Sequence, residues 1–299
     1  MNAYVDQNFL INCANDPLLR QAASDAVRTQ IVSFVLSPWH FYEVGNVDSK
    51  RGDEIVDVAE KLNPKWILDR SDLQLGEFRQ EWNRFWGMPH YLFAPIASLQ
   101  EVASALLRKP ASSLTNFGLA DYAKVFRVLA RRNLMPELDH QQTIVAANQA
   151  SVRDGRMTPE VVERIKESYL ELMLGRIGET GPDEEELRGR IRAIQNDSFT
   201  TGMIRYFMRQ GGMKSLRAWE VESILTEHHH SGLGKLDHNK QLDRQHAVAA
   251  LAYCDRFITD DRKLLTLCRE VRKLAKFEVP EAQSAESFFA SLNPPALGG

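Results

Sequence analysis

Five carboxylates, far apart along the chain, are spaced as if to share one site. Residues 3–6 read Ala-Tyr-Val-Asp, a very short strand that ends on Asp6, with Asn8 just beyond and an apolar helical continuation behind it. Residues 241–265 read as helix, strand, acid. Asp243 stands where an N-cap would stand, Ala247, Ala250, Leu251 and Cys254 follow at helical spacing, and the β-prone run 256–259 ends on Asp260 and Asp261. The fifth acid, Glu43, falls about a turn and a half into a helix that Ser37 can cap and Pro38 can start. Strand ends and helix starts lie on one edge of an open α/β sheet, the edge where such folds place their chemistry. Carboxylates clustered there repel one another and raise each other's pKa unless a cation stands between them. Mg²⁺ and Mn²⁺ take such oxygen ligands, and a divalent cation can activate water, neutralise a leaving oxygen and hold an anionic substrate.

The elements that must position these acids follow from periodicity. Residues 16–29 read as a helix opened by Asp16 and Pro17, 30–37 as a β-branched and aromatic strand buried on both faces, 53–62 as a helix and 65–68 as a third strand. One helix between each pair of strands is the mark of a parallel sheet. From residue 76 to 236 the pattern becomes helical with almost no strand signal: 78–86, 98–107, 119–129, 159–174, 184–194 and 216–227. The sharpest start there is Thr158-Pro159-Glu160, with a capping hydroxyl, proline at the first position and an acid in the first turn. No constant repeat period is visible. The reading is a core formed by 1–75 and 237–299, interrupted by a helical insertion over 76–236 and ending in a disordered tail at 293–299. The insertion's amphipathic helices need a surface, either the core or another subunit, so a homo-oligomer is one expectation.

Composition narrows the partners. The net charge of −3 supplies no global basic field for nucleic acid, so any phosphate binding must come from local Lys/Arg clusters or bound cations. Three cysteines, Cys13, Cys254 and Cys268, have no paired spacing and are expected to be reduced thiols of a cytoplasmic protein. No basic leader or long apolar run occurs, so neither a signal peptide nor a membrane span is expected.

The N-terminal strand ending in D-x-N, the glutamate after a second strand and the late D-x-x-H-A…T-D-D block together resemble the PIN-domain nucleases, which include bacterial toxin ribonucleases of toxin-antitoxin systems. The resemblance covers residues 1–75 and 237–299. It implies an α/β, PIN-like three-layer fold in which a short parallel sheet lies between helices. It also implies metal-dependent endonucleolytic hydrolysis of RNA, by metal-bound water and without a covalent intermediate. By that resemblance Asp6, Glu43 and Asp243 are ligands to Mg²⁺ or Mn²⁺ and Asp261 or Asp260 is the fourth, while Asn8 and Thr259 orient them. Gln7 departs from the small hydroxyl residue common at its position, and the double Asp leaves the fourth ligand open. Two alternatives stand beside this reading. One is a DNA-cleaving effector of a defence system, controlled by a protein partner on the insertion; the other is a catalytically inactive PIN-like interaction protein.

Other residues carry two readings each. His246, one turn into its helix, is a phosphate or site contact or a satisfied core histidine. Arg262 and Lys263, with Arg269, Arg272 and Lys273, follow the fourth acid and are placed to meet a phosphate. His228-His229-His230 with Asp237 and His238 suggest zinc, but consecutive histidines on a helix cannot converge on one ion, so a solvated turn is the better reading. Arg131-Arg132 and Arg188, Arg190 and Arg192 are solvated helix faces or an RNA track, and Trp82, Phe85, Trp86 and Tyr91 are base-stacking groups or core.

Overall fold

A computed structural model describes residues 1–46, 49–89, 92–107, 118–129, 146–177, 184–231 and 238–292. In chain order the elements are β1 (Asn2–Val5), α1 (Gln7–Asn15), α2 (Pro17–Arg28), β2 (Ser33–Leu36), α3 (Pro38–Asn46), α4 (Ser49–Leu62), β3 (Lys65–Ile67), α5 (Arg70–Phe85), β4 (Ile96–Ala97), α6 (Leu99–Leu107) and α7 (Leu119–Leu129). After α8, residues 146–153, come α9 (Pro159–Arg176), α10 (Glu184–Asn196), α11 (Ser198–Arg209), α12 (Arg217–Ser231), α13 (His238–Tyr253), β5 (Arg256–Ile258), α14 (Arg262–Leu274), β6 (Glu281–Gln283) and α15 (Ala285–Leu292).

The chain divides into two compact units, one comprising 1–70, 95–139 and 237–299 and the other 71–94 and 140–236. The expected insertion is therefore not one continuous block, because β4, α6 and α7 return to the sheet unit. β4 is two residues long, too short to leave a period-two signal in the sequence.

The first unit is built on a six-stranded sheet of order β4-β3-β2-β1-β5-β6. All its pairs are parallel except β3 with β4. The strands are short and nearly continuous in apolar residues because helices cover both faces. Ala3 and Val5 join one core with Phe9, Phe34, Phe41, Ile55 and Trp66, where Phe41 stacks on Trp66 at 4.8 Å between ring centroids. Tyr4, between them in sequence, points to the other face and meets Phe257 edge-on at 5.6 Å. β2 starts later than its sequence suggests because Gln30 takes a left-handed conformation (φ 58°) that closes the turn after α2.

The second unit is helical. Phe78, Trp82, Leu170, Met173, Ile204, Phe207 and Leu216 form its core, and Phe85 and Trp86 pack against it. These aromatics are thus packing groups rather than an exposed stacking surface. The carboxylate of Glu77 caps α12, both oxygens accepting from the Ala218 N–H at 2.9 and 3.0 Å. Thr158 caps α9 as its sequence indicates, accepting from the Val161 N–H at 3.4 Å. Arg190 pairs with Glu186 along α10. Residues 228–230 continue α12 as helix rather than forming the expected turn. Tyr91, Arg131, Arg132, Asp237 and the tail 293–299 lie outside the described residues. Among the described residues no helix is long and apolar enough to cross a membrane.

Phe34, 1% exposed and 5.3 Å from the Phe9 ring, ties β2 to α1 beneath the acid edge. Phe34→Ala is expected to destabilise the first unit by about 3–5 kcal/mol, read from urea denaturation.

Candidate active site at the carboxyl edge of the sheet

β2 and β3 lie on one side of β1, and β5 and β6 on the other, so the winding reverses between β1 and β5. The crevice at the carboxyl ends of strands at such a reversal is where doubly wound folds place ligands. Asp6 and Thr259 are the first residues beyond β1 and β5 there, joined at the backbone by the Asp6 N–H donating to Ile258 O at 3.1 Å.

Asp6 is 4% exposed and serves as N-cap of α1. Its Oδ1 accepts from the Phe9 N–H at 2.9 Å, and its Oδ2 accepts from the Thr259 hydroxyl at 2.5 Å. Thr259 in turn accepts from the Asp261 N–H at 3.1 Å, so its single hydroxyl is used in both directions. Glu43 projects from α3, with 23% of its side chain open, and its Oε2 meets Nε2 of the buried His246 at 2.9 Å. Burial lifts Asp6 to about 6, against the two hydrogen bonds it accepts, and the negative charge of Glu43 adds to the rise. Burial likewise lifts Glu43 to about 7. Among the described residues no Lys or Arg pairs with either acid. Two carboxylates are therefore held away from water with no basic neighbour to offset their charge.

A polar chain lies behind them. The Tyr4 hydroxyl is 2.6 Å from Nδ1 of His246 and 2.7 Å from the Ser37 hydroxyl. The Nε2–H of His40 donates to Val5 O at 2.8 Å, and its Nδ1 accepts from the Ser37 N–H at 3.0 Å. The His40 and His246 rings meet edge-on, 4.7 Å apart. Burial pushes both imidazoles down, His40 to about 3 with the neighbouring His246 adding to the effect, and His246 to about 4. Tyr4 is held well above its ordinary range by burial. Ser37 thus turns its hydroxyl into this chain instead of capping α3. Tyr4 and His40 were not singled out from the sequence. A tyrosine on an inward position of an otherwise apolar strand is the signal for them, since its buried hydroxyl must find a partner.

The remaining sequence candidates are distributed as follows. Asp243 lies inside α13 rather than at its N-cap, because buried Gln241 and Leu242 extend the helix one turn further towards the N-terminus. It is half-buried, three positions before His246. Asp261 caps α14, Oδ1 accepting from the Lys263 and Leu264 N–H groups at 2.7 and 2.9 Å. Asp260 serves the fold, accepting from Asn12 Nδ2 at 2.9 Å and the Ala285 N–H at 3.1 Å. Asn8, Arg262 and Lys263 are exposed. The structure brings Asp6, Glu43, His246 and Thr259 together, and it does not gather all the acids around one point. Among the described residues no three His, Cys, Asp or Glu side chains form a group able to hold a metal ion.

No protein-family model, curated protein or solved structure matches the chain. Its function must be argued from the site itself.

The donor set at the edge fits a hard divalent cation in the mode that uses one or two carboxylates and fills the remaining positions with water and substrate phosphate. Asp6 and Glu43 would be those two, and each would gain from a cation that offset its burial. Gln7, next to Asp6 in sequence, is 6% exposed, and both its amide atoms are buried with no hydrogen-bond partner among the described residues. The cysteines offer no alternative nucleophile. All three are buried, and burial raises their thiol pKa values, that of Cys13 to about 12.

The pH dependence follows. Asp6 is raised, so its contribution to stability is complete below its ordinary value of 3.8 and is lost as pH rises through about 6. Glu43 behaves likewise, its contribution complete below 4.5 and lost as pH rises through about 7. The lowered histidines act oppositely, contributing above 6.5 and losing that contribution as pH falls through about 4 and then about 3. Asparagine removes the Asp6 charge and remains a good cap. In EDTA, Asp6→Asn is expected to gain stability over the wild type as pH rises from about 4 to 7, approaching roughly 3 kcal/mol. Urea unfolding across that range measures the gap, and a pH-independent gap would contradict it.

Proposed function

We propose that the β1–β5 edge is the site of a divalent-cation-dependent nuclease that hydrolyses RNA. The observation that carries this reading is the pair of buried carboxylates, Asp6 and Glu43, at the reversal of the sheet with no basic partner. The sequence resemblance to PIN-domain nucleases supports it from the residue pattern, and it is that resemblance alone that favours RNA over DNA.

In this reading Asp6 and Glu43 hold Mg²⁺ or Mn²⁺, and Asp243, one turn before His246, is the third acid. The cation, when bound, supplies an activated water and neutralises charge on the phosphodiester. The chain's own groups do the positioning. Thr259 and the Phe9 N–H fix both oxygens of Asp6, and His246 fixes one oxygen of Glu43. Asp261 anchors α14 so that Arg262 and Lys263, exposed in its first turn, offer cationic groups to the phosphate backbone. The exposed part of Glu43 faces water, which gives a substrate access to an otherwise buried pair.

Incubating a mixed pool of labelled RNA and DNA with Mn²⁺ tests this. The wild type is expected to cut RNA, with EDTA abolishing cleavage and Asp6→Asn lowering it by roughly 100-fold or more. Undiminished cutting by Asp6→Asn, or in EDTA, would overturn the site. Preferential cutting of DNA would overturn only the choice of substrate.

A further inference from the structure

The chain of contacts behind Glu43 has a direction that its chemistry dictates. A carboxylate only accepts hydrogen bonds, so when Glu43 is ionised, Nε2 of His246 must carry the proton that lies between them at 2.9 Å. The ring is 2% exposed and faces a second buried imidazole 4.7 Å away, a setting that disfavours the doubly protonated ring. In the neutral ring Nδ1 is then an acceptor, and the group 2.6 Å from it is the Tyr4 hydroxyl, which must donate. With that proton committed, the 2.7 Å contact between Tyr4 and Ser37 is completed by Ser37 donating to Tyr4. Every hydroxyl and ring hydrogen of the chain is thereby assigned.

We infer that Tyr4, backed by Ser37, is a positioning residue for Glu43: by donating to Nδ1 it orients the His246 ring, in the Nε2–H tautomer that Glu43 requires, so that Nε2–H meets Oε2 and Oε1 is left to the site. Among the described residues Oε1 has no hydrogen-bond partner. The arrangement extends through rigid elements, because Tyr4 stands on the central strand, Ser37 follows β2 and His246 lies on α13. Glu43 is thus referenced to the same strand that ends on Asp6. His40 is the built-in comparison. Its Nε2 faces the Val5 carbonyl at 2.8 Å, which requires Nε2–H, so the backbone sets the same tautomer there; its Nδ1 then accepts from the Ser37 N–H at 3.0 Å, with the Ser37 carbonyl at 3.1 Å and hydroxyl at 3.4 Å also beside it. The value of this positioning for catalysis rests on the proposed nuclease function; the tautomer does not.

Nitrogen-15 NMR of the metal-free full chain labelled at histidine, at about pH 8 where unperturbed imidazoles are neutral, tests the inference. Signals are assigned with His40→Gln and His246→Gln. Both rings are expected as Nε2–H tautomers in the wild type. In Tyr4→Phe the Nε2–H tautomer is expected to persist, because Glu43 still requires it, while the His246 Nδ1 signal moves downfield to that of an acceptor without a donor and the His40 tautomer stays in place. An Nδ1–H tautomer of His246 in the wild type overturns the inference, and so does a His246 signal that Tyr4→Phe leaves unmoved. If Tyr4→Phe does not fold, the wild-type Nδ1 signal decides, since a lone pair that accepts a hydrogen bond lies upfield of a free one and a free one would overturn the inference. In the cleavage assay Tyr4→Phe is expected to lower kcat by about tenfold with KM nearly unchanged, the size of one buried hydrogen bond between neutral groups. A wild type that cuts neither RNA nor DNA ends the nuclease reading, while the NMR result still decides the role of Tyr4.

Discussion

A carboxylate withdrawn from water with no cation beside it is an expensive thing to keep in a folded protein, and this chain keeps two on one edge. Asp6 is more than nine-tenths buried, and Glu43 is mostly so. The usual remedies are an arginine, a lysine or a ring of donors sufficient to hold the charge, and here each acid receives only part of that. Asp6 accepts from a hydroxyl and a backbone N–H, yet burial still outweighs them and lifts its pKa. Glu43 is met by a histidine that burial keeps neutral, so the contact is a hydrogen bond rather than an ion pair at neutral pH. Perturbation of this kind marks functional sites more often than structural ones, because stability alone would favour an amide in place of either acid.

The surrounding architecture serves this constraint. β1 is the centre of the sheet and delivers Asp6 at its end and Tyr4 on its second face. Ser37 follows β2, and His40 bridges it to Val5, so the two strand ends cannot drift apart without breaking buried hydrogen bonds. Thr259 follows β5 and is tied at once to Asp6 and to the start of α14. Asp260 reaches from the same turn to α1 and α15. Nearly every element that touches the edge contributes one polar side chain to it. The second unit keeps its own core, where Glu77 stands at a helix start and Glu167 meets Arg205 at 2.9 Å.

The sequence disclosed the parts of this site that local chemistry marks. Asp6 at the end of a short apolar strand and Thr259-Asp260-Asp261 at the end of another are visible because strand ends in open sheets are punctuated by polar residues. Glu43 is visible because Ser37 and Pro38 announce a helix. What stayed hidden depends on long-range contacts. Nothing near Asp243 reveals that its helix has already begun, since only the burial of Gln241 and Leu242 against the rest of the unit extends it. The capping role of Asp261 and the bracing role of Asp260 likewise depend on which backbone N–H groups arrive beside them, and those of Ala285 come from a distant element. The return of β4, α6 and α7 to the sheet unit was invisible because the pairing that brings them back is only two residues long on β4.

The central claim is that Asp6 and Glu43, rather than the acids at the start of α14, create a place for a divalent cation. Calorimetric titration of the metal-free chain with Mn²⁺ tests it most directly, comparing the wild type with Asp6→Asn, Glu43→Gln and Asp261→Asn. The account predicts saturable binding to the wild type that is lost in the first two variants and retained in Asp261→Asn. Binding that survives both Asp6→Asn and Glu43→Gln would contradict it.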